Sequence, residues 1–104
     1  MPRAIKLMPD YHCSPLWEPG TDAYNVPLDT LPLTPKLRAA LRAWADAYDR
    51  TLNEDDPAAS GFANAEEATA FETEGRRLWQ ALREALGAKF TVSYYSERDG
   101  LQEA

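Results

Sequence analysis

Two stretches with the periodicity of an amphipathic helix fill the centre of this chain and leave mainly its ends for strands. Apolar residues recur in both at intervals of three, four or seven positions, which places them on one side of a helix: Leu37, Leu41, Trp44, Tyr48 and Leu52, then Phe71, Leu78, Leu82 and Leu86. Each stretch is preceded by a good N-cap residue, Thr34 in the first and Asn64 in the second. Pro35, directly after Thr34, is also favoured at the first position of a helix. The sequence therefore predicts helices over residues 35–52 and 65–86, joined as an antiparallel hairpin.

The two ends of the chain alternate between apolar and polar residues, as half-buried strands do. "RAIKLM" predicts a strand over residues 3–8, and "KFTVSYYSE" predicts another over residues 89–97. Because a helical hairpin returns the chain to its starting end, we expect these strands to pair beneath it, antiparallel by the simplest path. The predicted fold is a single α+β domain, residues 1–104, with the helices packed on a small sheet formed by the terminal strands.

The segment between the first strand and the first helix is rich in proline. Residues 9–35 hold six of the eight prolines, which leaves little room for a helix: Pro9, Pro15, Pro19, Pro27, Pro32 and Pro35. The same segment also carries many apolar side chains: Leu16, Trp17, Tyr24, Val26, Leu28, Leu31 and Leu33. We expect an ordered wrapping loop over residues 9–33, with a short strand near residues 15–18.

Gly75 lies inside the second predicted helix. An interior glycine costs a helix about 1 kcal/mol relative to alanine, so its presence indicates that another part of the protein comes very close. We expect that part to be the backbone of a neighbouring element.

The charge is distributed unevenly along the chain. The net charge is -6, yet residues 53–74 contain seven acidic residues and no lysine or arginine, so this segment carries -7 and the remainder +1. Such a surface repels nucleic acid and anionic membranes and attracts a basic protein. The centre of this charge is the loop predicted over residues 53–63, called the acidic loop below, which contains Glu54, Asp55 and Asp56.

The composition also indicates a compartment. One cysteine excludes an internal disulfide, which fits a reducing environment. The apolar run in "MPRAIKLMPDYHC" is too short for a signal peptide, and no stretch approaches the ~20 apolar residues that cross a bilayer. We expect a cytoplasmic protein that binds neither membrane nor nucleic acid.

The stretch "PDYHC" places the only histidine beside the only cysteine, next to Asp10 and Tyr11. Zinc sites use four ligands, and no second histidine or cysteine exists to complete one. A cysteine nucleophile needs its base within hydrogen-bond reach, whereas neighbours on an extended backbone point apart. A packed Cys13 and a His12 bonded to a backbone carbonyl are therefore favoured, with an enzyme or metal-binding protein centred on Asp10, His12 and Cys13 kept as an alternative.

Other catalytic signatures are missing from the sequence. There is no glycine-rich phosphate loop, and a single histidine leaves little scope for a Ser-His-Asp triad. The sequence therefore predicts a protein-protein interaction domain with no catalytic residues, cofactor or metal.

Three stretches resemble a group of small bacterial proteins. They are "IKLMPDYHCSPLW", "LPLTPKLRAALRAWADAYDRTLNEDDPAASGF" and "FETEGRRLWQALREALGAKFTVSYYSE", so the likeness covers most of the chain outside residues 18–26. Some of these proteins resemble immunity proteins, the neutralising partners encoded beside polymorphic Rhs-type or contact-dependent toxins. The resemblance implies a domain that binds and inhibits a toxin.

Together these observations predict an immunity protein whose partner is a basic toxin domain, of nuclease or ADP-ribosyltransferase type. The expected contacts combine the acidic loop with exposed aromatic and polar side chains: Glu54, Asp55, Asp56, Trp17, Tyr11, His12 and Tyr95. An alternative docks the toxin by strand addition on an exposed edge of the terminal strand pair, near Tyr95. A homo-oligomeric housekeeping protein, whose exposed aromatics meet a second copy, also stays open.

Overall fold

A computed structural model describes residues 3–20, 25–52, 61–62, 64–96 and 100–102. The elements are β1 (Arg3–Leu7), β2 (Leu16–Trp17), β3 (Asn25–Val26), α1 (Pro35–Asp49), α2 (Ala65–Leu86), β4 (Phe90–Ser96) and β5 (Gly100–Gln102). Short 3-10 helices cover Leu28–Thr30 and Gly87–Lys89. The strands form one mixed sheet in the order β3-β2-β1-β4-β5, with the two helices packed on it. The α+β class and the helix pair are confirmed.

Both helices begin at the predicted caps. The Thr34 hydroxyl accepts the Leu37 N–H at 3.1 Å, and the Asn64 side chain accepts the Glu67 N–H at 2.9 Å. The first helix ends at Asp49, three residues before the predicted end. There the Thr51 N–H bonds to the carbonyl three residues back, at 3.0 Å, which tightens the last turn.

The terminal strands are neighbours, as predicted, but the predicted antiparallel direction is wrong. β1 and β4 are parallel, with Ile5 opposite Val92. The predicted wrapping loop instead supplies β2 and β3, each antiparallel to its neighbour, and residues 27–34 then lead to α1. The prediction took the path from β1 to β4 as a single helical hairpin and did not count these two strands, which lie between β1 and α1. The short strand expected near residues 15–18 is confirmed as β2.

The core lies between the helices and one face of the sheet. Its completely buried members come from strands and helices alike: Leu7, Leu16, Leu41, Leu78 and Leu82. Gly75 is buried among them, and a Cβ there would lie 2.6 Å from the Tyr94 hydroxyl and 2.8 Å from Cζ2 of Trp44. The predicted close approach is therefore confirmed, but the partner is a pair of aromatic side chains and not a backbone.

One acidic residue is buried beneath α2. Glu72 is 8% exposed, and its carboxylate accepts hydrogen bonds from the hydroxyls of Tyr94, at 2.7 Å, and Ser96, at 2.5 Å. The Arg76 guanidinium lies 3.3 Å from the same carboxylate. This cluster fastens α2 to β4, since both hydroxyls come from that strand.

A surface ion pair joins β1 to the end of β2. The Arg3 guanidinium donates two hydrogen bonds to the Glu18 carboxylate, at 2.9 and 2.8 Å. The hydrogen bond from Arg3 holds the pKa of Glu18 below its ordinary value. A carboxyl with a lower pKa in the folded state stabilises the fold above its unfolded pKa and loses that contribution as pH falls through the folded value.

We therefore expect Glu18→Gln to be less stable than the wild type at neutral pH, with a gap that closes as the pH falls from about 5 to 3. Urea unfolding across this pH range measures the gap. Glu84→Gln, on an exposed position of α2, serves as the matched control. A gap that stays constant with pH would show that the ion pair is not its source.

Candidate functional site

Residues 10–13, called the Tyr11 turn below, pack against the C-terminal end of α1. The Tyr11 ring stacks on the Tyr48 ring, with centroids 4.7 Å apart and planes inclined by 26°. The two hydroxyl oxygens of Tyr11 and Thr51 lie 3.3 Å apart. The turn is therefore fixed to the helix by a ring contact and a hydrogen bond.

His12 is held through its backbone. Its N–H donates to the Asp49 carboxylate at 2.9 Å, and its φ of 59° lies in the left-handed region. The segment is thus a turn, and the assumption of an extended backbone was wrong; Pro9 and the bond to Asp49 redirect the chain. The contact is made by the His12 backbone N–H, and no bond from the His12 side chain to a backbone carbonyl is present among the described residues; the side chain is exposed.

Cys13 is half-buried, and its surroundings oppose ionisation. Burial, together with the carboxylates of Asp10 and Asp49, raises the pKa of the Cys13 thiol. Nucleophilic and metal-binding cysteines need the thiolate, which a raised pKa disfavours. Within the part of the chain that the structure describes, no three His, Cys, Asp or Glu side chains are grouped to hold a metal. This environment gives the enzyme or metal-site alternative no support.

The Tyr11 turn lies beside the base of the acidic loop. The Gly61 N–H donates to the Thr51 carbonyl at 3.0 Å, so the two flanks of the loop are bonded to each other. Thr51 is also the residue that Tyr11 contacts. Glu54, Asp55 and Asp56 lie outside the described residues. The structure thus brings Tyr11 and His12 to the point where the acidic loop leaves α1.

Trp17 does not lie on this surface. Its side chain is 7% exposed, and its indole N–H donates to the Met8 carbonyl at 2.9 Å. It pairs with Lys6 across β1 and β2. The predicted role as an exposed anchor therefore does not fit its position, because its ring is already covered and its polar atom is bonded.

Tyr95 is exposed, at 39%, but it does not lie on an open strand edge. The strand-addition prediction placed a partner there, whereas β5 pairs with this part of β4 and sets Leu101 opposite Tyr95. The prediction missed β5 because only three residues, in a tail of polar composition, form the strand. Leu101, a single apolar residue in that tail, was the only available signal.

Comparison with sequence models of known families identifies the family of this chain. A sequence model of the Serratia CdiI immunity protein-like family matches residues 3–97, from the first residue of β1 to the residue after β4. The chain belongs to this family. No curated protein matches the chain. Membership in the CdiI immunity family implies binding and neutralisation of a cognate contact-dependent inhibition toxin.

The match includes every element that builds the candidate site of this CdiI family member. The Tyr11 turn, both helices and the acidic loop fall within residues 3–97, and only β5 lies beyond them. Neither helix, over its described residues, has the length and apolar content to cross a membrane.

Proposed function

We propose that this CdiI family protein is a non-enzymatic cytoplasmic inhibitor that binds a basic toxin domain and covers its active cleft. The contact surface consists of the acidic loop and the Tyr11 turn. The observation that supports it most directly is the placement of Tyr11 on Thr51, which is bonded in turn to Gly61 at the far side of the loop. A fixed aromatic turn beside a strongly acidic segment offers both packing and charge to a partner.

The charge of the surrounding residues supports a basic partner. Asp10 in the Tyr11 turn and Glu66 and Glu67 at the start of α2 are exposed. Glu54, Asp55 and Asp56 add three further negative charges in the sequence that directly follows the end of α1. Toxins that act on nucleic acid or on nucleotide cofactors need basic clefts for their substrates, so a nuclease or an ADP-ribosyltransferase-like domain suits this surface.

Replacing Glu54, Asp55 and Asp56 together with alanine should slow association with the toxin domain encoded beside this gene by about tenfold at low salt. The difference should shrink as ionic strength rises, because mobile ions screen exposed charges over roughly 10 Å at 0.1 M. Stopped-flow or biolayer kinetics at several salt concentrations measure both effects. Cells that carry the toxin should also be protected less well.

The matched control removes three acidic charges from other exposed positions. Asp29→Asn, Asp46→Asn and Glu84→Gln together raise the net charge from -6 to -3, as the test variant does. If the acidic loop steers the partner locally, this control associates close to the wild-type rate. Association of the test variant at the wild-type rate at low salt would contradict the proposal.

A further inference from the structure

A pocket of about 240 Å³ lies between the first turns of α2 and residues 94–95 of β4. Phe62, which belongs to the acidic loop, lines it, as does Pro9, the residue directly before the Tyr11 turn. This recess is called the Phe62 pocket below. It adjoins both segments of the contact surface proposed above.

The walls of the Phe62 pocket are largely aromatic and are held by contacts within the fold. The Phe71 ring stacks on Trp44, with centroids 4.5 Å apart and planes inclined by 9°, and its carbonyl accepts the Trp44 indole N–H at 3.0 Å. The Phe62 ring packs on Phe71 with centroids 5.0 Å apart. The Tyr94 hydroxyl is fixed by its bond to Glu72, at 2.7 Å. A pocket whose walls are ordered before binding loses little entropy when it is filled.

The buried polar side chains in the wall are already bonded within the fold, which favours an apolar occupant. The Glu72 carboxylate accepts hydrogen bonds from Tyr94 and Ser96 and lies 3.3 Å from the Arg76 guanidinium. The remaining lining is apolar or aromatic: Pro9, Phe62, Ala68, Phe71 and Tyr95. An apolar cavity of about 150 Å³ accommodates benzene. The Phe62 pocket therefore has room for one large apolar side chain.

The pocket is accessible from solvent, and the neighbouring sequence holds no large apolar side chain to fill it. Tyr95 is 39% exposed, and Phe62, Ala68 and Phe71 are half-buried. The adjoining stretches outside the described residues are 53–60, 63 and 97–99. They contain no aromatic residue, and their only apolar residues are alanines and Pro57. An apolar group that displaces poorly ordered water from such a recess gains affinity, so a partner that supplies one binds more tightly.

We propose that the Phe62 pocket receives one large apolar side chain of the cognate toxin, of leucine, methionine or phenylalanine type, as the anchor of the complex. This inference rests on the function proposed above and divides the work of the same surface. The acidic residues speed the encounter with a basic partner, and the filled pocket slows its departure. Interfaces commonly place such an anchor in a pocket surrounded by a polar rim.

A second copy of this chain is a poor occupant of the pocket. A two-fold contact here would bring the acidic segments of both copies together, and residues 53–74 carry -7 in each. A basic toxin meets no such repulsion.

Ala68→Leu tests the proposal, because it fills the pocket with a side chain of the protein itself. We expect it to raise the dissociation rate of the purified, catalytically inactive toxin domain by about tenfold or more and to leave the association rate near that of the wild type. Thr69→Leu adds the same side chain at the next, exposed position of α2 and should dissociate like the wild type. Biolayer kinetics measure both rates. Thermal unfolding should show Ala68→Leu to be at least as stable as the wild type, since the leucine occupies empty space.

A second measurement leaves this protein unchanged, so it does not depend on how Ala68→Leu folds. Each exposed large apolar side chain of the toxin is replaced by alanine in turn, and dissociation from the wild-type protein is measured. One replacement should raise the dissociation rate by about tenfold or more. The same replacement should have little further effect on the complex with Ala68→Leu, because both changes remove one contact.

The other outcomes separate this proposal from the function on which it rests. Tight wild-type binding, with wild-type dissociation of Ala68→Leu and no toxin replacement that raises the rate, would overturn the pocket proposal and leave the inhibitor function standing. A wild-type protein that does not bind the toxin would overturn both. Equal acceleration by Thr69→Leu would show a general effect of an added leucine and would contradict the pocket proposal. So would a wild-type dimer in sedimentation that Ala68→Leu dissociates, because a second copy would then occupy the pocket.

Discussion

Gly75→Ala should lower the free energy of unfolding by about 2 kcal/mol, although alanine is the better helix former. The new Cβ would lie 2.6 Å from the Tyr94 hydroxyl and 2.8 Å from Trp44. Both rings are almost fully buried, so displacing either one disturbs the packing of the core. Strain of about 1–3 kcal/mol and a weakened Tyr94–Glu72 hydrogen bond outweigh a propensity gain of about 1 kcal/mol.

Thermal unfolding measures this effect, and a loss of 2 kcal/mol corresponds to roughly 10 °C in a domain of this size. Thr73→Ala, at an exposed position of the same helix, is the matched control and should be neutral or slightly stabilising. In a Tyr94→Phe background, Gly75→Ala should lower the free energy of unfolding by less, because the Tyr94 hydroxyl oxygen, the atom nearest to the new Cβ, is absent. A Gly75→Ala protein as stable as the wild type would show that the two rings can separate.

Glu72→Ala should lower the free energy of unfolding by about 3 kcal/mol, which is more than the loss expected for Gly75→Ala. The carboxylate is the acceptor for the hydroxyls of Tyr94 and Ser96, which are 1% and 0% exposed. Its removal leaves a cavity and takes away the acceptor that these two buried hydroxyls share. Glu72→Gln keeps the shape and an acceptor oxygen, so its loss of stability should be smaller.

Urea unfolding of the three proteins gives this order directly: wild type, then Glu72→Gln, then Glu72→Ala. Glu66→Ala removes an exposed acid from the first turn of the same helix and tests for a general effect of charge. Its cost should stay below about 1 kcal/mol, the size of a helix-dipole contribution. Equal costs for Glu66→Ala and Glu72→Ala would contradict the assignment of Glu72 as the link between α2 and β4.

The helices were predictable because apolar residues recur at helical spacing over several turns. Fifteen residues in α1 and 22 in α2 give several turns of periodicity, and each start has a cap whose side chain makes the expected bond. The strands β2, β3 and β5 have two, two and three residues, too few for alternation to show. Of these, β2 and β3 lie on the path from β1 to β4, so a prediction that did not count them had no basis for the direction of β4.

The candidate site was predictable only in part, for a related reason. Tyr11 and the acidic loop stood out by composition, but the stacking of Tyr11 on Tyr48 joins residues 37 positions apart and leaves no local pattern. Glu72 counted only as one of seven acids in residues 53–74, although the fold buries it beneath α2. The pattern of acidic residues in this segment does not show which of their side chains is buried and which is exposed to solvent.

The parallel pairing of β1 with β4 also has a consequence for when the protein can act. Ile5 meets Val92, 87 positions later, so the centre of the sheet forms only after the residues up to β4 have been synthesised. Closing so long a loop carries an entropic cost and slows folding relative to a protein of local contacts. A nascent chain that still lacks β4 cannot pair the inner edge of β1, so the complete sheet, and any inhibition that depends on it, forms only once β4 has been synthesised.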